Sequence, residues 1–506
     1  MSASRLDPSF TSLPYAALGD AALTRARELG AGHADFRFER VRYQSLVVRD
    51  GVLQSANDQE DLGFAVRVIH RGSWGFASGV VLTPEEAVRV AETAVAVAQV
   101  AADMTSTPVE MAAEPVHADV EWVSAYDVNP LEVPVQEKAA LLIDWTNRLR
   151  TGAAVDHASA HLLQVQENKY YADLTGTRTT QQRVRMHPGF EAMGAGADTF
   201  DSMASIAPPV GRGWEYLTGG AGAWDWDDEI DRVPELLAEK LKAPGVEAGT
   251  MDLVIHPSNL WLTIHESIGH ATELDRALGY EANYAGTSFA TYDKLNTLQY
   301  GSSVMNVTGD RTHPHGLATI GYDDEGVETQ RWDIVKDGLF VGYQLDRQMG
   351  LMHPDLNDGR SNGCAYADSP GHIPIQRMAN VSLQAAPDGP STEELISRVE
   401  RGLYVVGDKS WSIDMQRFNF QFTAQRFYKI ADGELVGQVR DAAYQATTTD
   451  FWNSMEAVGG PDTWELGGAF NCGKAQPGQV ASVSHGCPTS LFRGVRILNT
   501  TDEAGH

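Results

Sequence analysis

The chain has 506 residues, enough for two to four domains with sizeable cores, and its 42% hydrophobic and 21% charged residues are those of a globular protein rather than a disordered one. With 39 Lys+Arg against 68 Asp+Glu the formal charge is −29, which repels phosphate backbones and anionic membrane surfaces, so neither nucleic acid nor membrane is the expected partner. Three cysteines, Cys364, Cys472 and Cys487, are too few and too unevenly spaced for a disulfide framework; with no signal-type apolar run after Met1-Ser2-Ala3-Ser4 and no uninterrupted apolar stretch of about 18 residues, the chain is expected to be cytoplasmic with free thiols.

In chain order, Ser45-Leu46-Val47-Val48-Arg49 and Val52-Leu53-Gln54-Ser55 flank Asp50-Gly51, a dipeptide suited to the positive φ angles of a tight hairpin. Thr83-Pro84-Glu85-Glu86 carries a cap, a first-turn proline and a reciprocal glutamate, so a helix is predicted over about 84–102. A second helix is predicted near Val133 to Arg150, ended by Thr151-Gly152, and residues 163–187 read as strand. From 188 to 226 Gly, Ala, Ser and Pro accumulate, through Gly219-Gly220-Ala221-Gly222, which places a domain boundary near 230–245. Beyond it, Asp252-Leu253-Val254-Ile255-His256 reads as a buried strand and Pro257 opens a helix. After about 300 the pattern is mostly β, with turns at Asp337-Gly338 and Asp432-Gly433 and one helix announced by the capping box Ser391-Thr392-Glu393-Glu394. The expected fold class is α+β, with an N-terminal domain of hairpins and helices over 1–235. A largely β C-terminal domain over 236–506 would carry the metal-site helix.

That helix contains His265-Glu266-Ser267-Ile268-Gly269-His270. Zinc-peptidase helices commonly space two histidines by four residues, about 40° apart around the axis, so both rings reach one ion. A gap of five turns His270 about 140° away from His265 in a regular helix. A one-residue bulge of π type would restore a common face, and Gly269 would lower the cost of that distortion. An ordinary core stripe of Leu260, Ile264 and Ile268, with His265, Glu266 and His270 merely flanking it, is the competing reading.

The segment and its surroundings resemble the TldD/PmbA family, and specifically its TldD-type metallopeptidase subunit. In the N-terminal half the likeness lies in Asp61-Leu62-Gly63-Phe64-Ala65-Val66-Arg67-Val68-Ile69 and Gly75-Phe76-Ala77. In the C-terminal half it takes in Ile264 to His270, Gly321-Tyr322-Asp323-Asp324-Glu325-Gly326, Asp358-Gly359-Arg360, Arg377-Met378-Ala379-Asn380 and Phe470-Asn471-Cys472-Gly473-Lys474.

The resemblance implies a third metal ligand at Cys472, completing a His265, His270, Cys472 site. Two imidazoles and one thiolate suit Zn2+ and leave a coordination position open. Glu266 would be the general base beside the activated water. Cys487 is the rival thiol and His485 a further donor, and both roles stay open; Cys364 is read as structural.

Asp323, Asp324 and Glu325 read either as acids supporting the metal ligands or as an acidic turn, and Arg360 and Arg377 as carboxylate holders or structural ion pairs. The family also implies a dimer, with itself or with a metal-less paralogous subunit, enclosing the site. The expected substrate is a peptide or unfolded protein segment, which could bind by adding a strand to a sheet edge. The alternative is a non-catalytic interaction or modulator protein with a structural zinc; a zinc amidase acting on a non-peptide substrate would use the same site.

Overall fold

A computed structural model describes residues 5–197, 199–220 and 222–503; Met1 to Ser4 of the leader reading and Ala221 of the glycine-rich stretch lie outside these. The N-terminal half is built on strands β1 (His33–Arg49), β2 (Val52–His70), β3 (Ser73–Gly79), β4 (Val120–Val123), β5 (His157–Asp173), β6 (Arg178–Ala195) and β7 (Phe200–Ala204). They form one sheet in the order β3-β2-β1-β5-β6-β4, with β7 paired to β6. The predicted hairpin is the β1–β2 turn, where Asp50 and Gly51 have φ of 50° and 77°, the twist that two-residue hairpins require. The predicted helices are Pro84–Ala102, whose Glu86 amide donates to the Thr83 hydroxyl, and Val135–Leu149.

Strand periodicity divides the two faces of this sheet. Phe36, Phe38, Phe64 and Val66 point to one side and pack under helices Tyr15–Glu28 and Pro84–Ala102; each such side chain contributes about 1.5–3 kcal/mol of transfer free energy. The alternating Asp35, Arg37, Glu39, Arg67 and Lys169 point the other way and are equally buried, because the C-terminal half covers them. Lys169 Nζ lies 2.7 Å from Asp324 Oδ2. Arg67 reaches both Asp35 Oδ2, at 2.7 Å, and Glu325 Oε1, at 2.8 Å. The acidic Asp323-Asp324-Glu325 segment is therefore the counter-charge that joins the halves, and Asp323 itself accepts from the backbone amides of Glu325, Val327 and Ala365.

In the C-terminal half, β8 (Gly249–Ile255) pairs in parallel with Arg401–Ile413, which pairs antiparallel with Asn419–Ala431. Ala442–Thr447 links that strand to Ser490–Asn499, which returns to β8. The ring of strands is thus closed. Helix Pro257–Ile264 leaves β8 directly and is tied across the ring: Asn259 donates to the carbonyls of Gly407 and Thr423, and the Tyr444 hydroxyl donates to Asn259 Oδ1 at 2.9 Å. Among the described residues no helix is long and apolar enough to cross a membrane.

Candidate metal centre

Helix Pro257–Ile264 begins with His256 as its cap and continues into a π turn over His265–Gly269, where the His270 amide donates to the His265 carbonyl. This bond to the fifth residue back absorbs the extra residue in the motif, and the two rings come to rest with centroids 4.7 Å apart. Leu260, Ile264 and Ile268 are fully buried, so the apolar stripe and the histidine face coexist on one helix. Gly269 has a different reason from the one expected. Its φ is −53°, which any residue adopts, but an added Cβ would sit 2.6 Å from Met378 Sδ. Glycine there provides space rather than backbone freedom.

Cys472 arrives on strand Trp464–Lys474, paired with Gln479–Pro488. The register breaks between Ala469 and Cys472, an irregularity that re-aims the side chain. Cys472 Sγ lies 3.5 Å from His270 Nε2, and donor atoms of His265, His270 and Cys472 all fall within 4.8 Å of one another. Tetrahedral zinc with ordinary Zn–N and Zn–S lengths would hold an imidazole nitrogen and a thiolate sulfur about 3.6 Å apart, close to the separation of Cys472 Sγ and His270 Nε2, so the donor set suits the ion in chemistry and that pair suits it in spacing.

Burial pushes the His270 imidazole down to about 3, with Arg417 adding to it, and moves His265 well below its ordinary value. Both rings are held in the neutral form that a metal ion would need. Burial lifts the Cys472 thiol to about 11, so a metal ion binding there would have to displace its proton.

A second layer of contacts orients these groups. His270 Nδ1 donates to Glu273 Oε2 at 2.9 Å. Burial acts to raise the Glu273 carboxyl, yet Lys474, His270 and Arg276 hold it well below the usual range. Lys474 Nζ donates to Glu273 Oε1, Asp275 Oδ1 and the Gln376 carbonyl, linking the strand of Cys472 to the turn after His270. Arg377 donates to the backbone carbonyls of Cys472 and Gln479, so it clamps the hairpin. Arg360, partly exposed, pairs with the buried carboxylate of Glu114.

Glu266 is 6% exposed and ion-paired with Arg417. Burial raises its carboxyl and Arg417 opposes that. Arg417 sits at φ 62° in a tight turn whose Asp414 carboxylate accepts from the amides of Gln416, Phe418 and Asn419. No sequence pattern pointed to Arg417, which stands 151 residues from Glu266. Cys487 is buried with Sγ 3.7 Å from the Pro257 carbonyl and takes no part in the three-donor set. His485 Nε2 lies 2.7 Å from His265 Nδ1. Cys364 is buried and free.

These groups open onto a cleft of about 530 Å³ between the two halves. His161 and His187 of β5 and β6 line one wall, and Trp261, Trp411 and residues 465–473 line the other.

Residues 248–499 match the family model described as the PmbA/TldA metallopeptidase C-terminal domain, and residues 34–98 match domain 1 of the same metallopeptidases. The chain is 25% identical over 463 residues to a metalloprotease of Methanocaldococcus jannaschii, covering 90% of this chain and 94% of that one. It is 23% identical to a zinc metalloprotease TldD homolog of Saccharolobus solfataricus, covering 94% and 98% respectively. The crystal structure of TldE from Thermococcus kodakarensis superimposes with a TM-score of 0.70 at 16% identity, over 95% of this chain and 99% of that one.

Proposed function

The chain belongs to the TldD/PmbA family of metallopeptidases, and from that premise we propose that it is a zinc-dependent peptidase acting on peptides or unfolded segments. The observation that carries this reading is the convergence of His265, His270 and Cys472 beside a buried carboxylate, Glu266, at the floor of one cleft. Zinc held by those three residues would supply a Lewis acid for the scissile carbonyl and lower the pKa of water.

The remaining chemistry belongs to the chain. Glu266, whose carboxyl burial raises while the paired Arg417 acts the other way, accepts the proton of the attacking water at a carboxylate oxygen and returns it to the departing amine nitrogen. Trp261, Trp411 and Phe470 in the cleft walls limit water around the reacting atoms. Among the described residues strand Trp464–Lys474 is paired on one edge only, and its residues 465–473 line the cleft. An extended peptide could add there by main-chain hydrogen bonds, with little regard for side chains.

The reading as a modulator with structural zinc requires a fourth protein ligand, and among the described residues the donor set stops at three. That observation favours catalysis. A working dimer, with a second copy or with a metal-less paralogous subunit, would close the cleft from outside.

The test is to express the chain alone and with such a partner, measure bound zinc, and follow cleavage of an unstructured peptide. Glu266→Gln should retain zinc and lose about 10²- to 10⁴-fold in kcat. Zinc-loaded Glu266→Gln that cleaves as fast as the parent would overturn the mechanism.

A further inference from the structure

We infer that His485 is a positioning residue for the metal centre: by accepting the Nδ1 proton of His265 it presents that ring's Nε2 to the ion. The inference rests on the zinc reading above, and its geometry follows from three fixed points.

The first is the Val381 carbonyl, 2.8 Å from His485 Nδ1. A carbonyl can only accept, so this nitrogen carries the proton. Val381 is fully buried in strand Asn380–Leu383, which is paired along its length with Val307–Asp310, so the anchor is rigid. The second point is His485 Nε2, which in a neutral ring with a protonated Nδ1 has a lone pair. It lies 2.7 Å from His265 Nδ1, and His265 is therefore the donor. The third is His265 Nε2, left as the free lone pair of a neutral imidazole and the nitrogen available to the cluster with His270 and Cys472. The order of donation runs from His265 to His485 to Val381.

Both His485 nitrogens are occupied in this relay, and the residue is outside the three-donor set. It is 0% exposed, with Trp261 stacked parallel to its ring at 11° and Gly269 so close that a Cβ there would lie 3.5 Å from Cε1. Burial and its two hydrogen bonds hold the ring in this orientation.

The two ligand histidines thus have different supports. His270 is oriented by a carboxylate, Glu273, whereas His265 is oriented by a neutral ring. A second carboxylate at position 485 would add negative charge to a pocket that already holds Glu266, Glu273 and the thiolate of a loaded Cys472. An imidazole fixes the tautomer without that charge, which would leave a bound ion the stronger Lewis acid.

The experiment compares the parent full-length chain with His485→Leu, His485→Asn and His485→Gln. Zinc affinity is measured by competition with a chelator, and the histidine tautomers of the metal-free chains are read from long-range 1H–15N correlations. In the parent, His265 should be protonated on Nδ1. In H485Q the introduced side chain can offer its carbonyl oxygen to His265 and its amide to Val381, so this variant should bind zinc within about threefold of the parent. H485L and H485N, the latter too short to reach His265 while touching Val381, should bind about 10- to 100-fold more weakly, the range for losing the hydrogen-bond partner of a metal ligand. Their cobalt-substituted forms should show an altered visible spectrum.

A His265 ring protonated on Nε2 in the parent would overturn the inference. So would H485L and H485N that bind zinc as tightly as the parent, which would leave the metal site intact and remove only the role of His485. A parent chain that takes up no zinc would instead remove the metal-site reading, and this role with it.

Discussion

Replacing Gly269 with alanine tests the steric account of the π turn. The backbone there has φ −53° and ψ −59°, so alanine by itself would gain up to about 1 kcal/mol over glycine in a helix. Its Cβ, however, would lie 2.6 Å from Met378 Sδ and 2.9 Å from Cε. Met378 is a flexible side chain but only 1% exposed, so it has no solvent into which to retreat. Inserting a carbon into such a packed site costs about 1–3 kcal/mol. The balance is a net loss of about 0–2 kcal/mol in the metal-free chain.

A sharper measure is the double-mutant cycle with Met378→Val, which lacks the two clashing atoms. The clash predicts a favourable coupling of about 1–2 kcal/mol between the substitutions. Denaturant midpoints of the four metal-free proteins give that coupling, and chelator competition gives the matching zinc affinities. Zinc binding should weaken in Gly269→Ala, because the residue that must shift adjoins His270, and should recover in the double variant. A Gly269→Ala chain as stable as the parent, with coupling near zero and unchanged zinc affinity, would refute the argument that this glycine exists for space.

Glu273→Gln should lower zinc affinity about 10- to 100-fold by weakening the acceptor of the His270 Nδ1 proton; unchanged affinity in a chelator titration would count against that role. Cys472→Ser should lose more than that, whereas Cys487→Ser should bind zinc like the parent, since its thiol faces the Pro257 carbonyl instead of the donor set; metal content after dialysis separates the two. Asp35 gives the acid response: burial acts to raise its carboxyl, but Arg67 and His33 outweigh it and hold it at about 2. Because the folded value lies below the unfolded one, this stabilisation is present above about pH 4 and is lost as the pH falls towards 2, a contribution of about 2 kcal/mol. The midpoint of Asp35→Asn should therefore fall less steeply over that interval, and parallel profiles for the two proteins would contradict the assignment.

Local features were legible in the residues themselves. The positive φ angles of Asp50-Gly51, Asp337-Gly338 and Asp432-Gly433, the caps at Thr83 and Ser391 and the π turn demanded by a five-residue histidine gap all follow from rules that operate within a few residues. Cys472 became visible only through family resemblance, because a lone cysteine carries no spacing signal.

Tertiary structure alone decided the rest. The Asp323-Asp324-Glu325 run became the clamp between the two halves once Arg67 and Lys169 were brought against it from a sheet more than a hundred residues upstream. Arg417 reached Glu266 across 151 residues and His485 reached His265 across 220. These pairings have no local signature, because a charge or a ring nitrogen is satisfied by whatever group the packed chain brings within hydrogen-bond reach, and strand register and helix phase determine which group that is. The sequence by itself determined the motif and the bulge it requires; the closed ring of strands and the sheet facing it determined what supports the motif, since the cost of leaving a buried polar atom unpaired is met only in the folded chain.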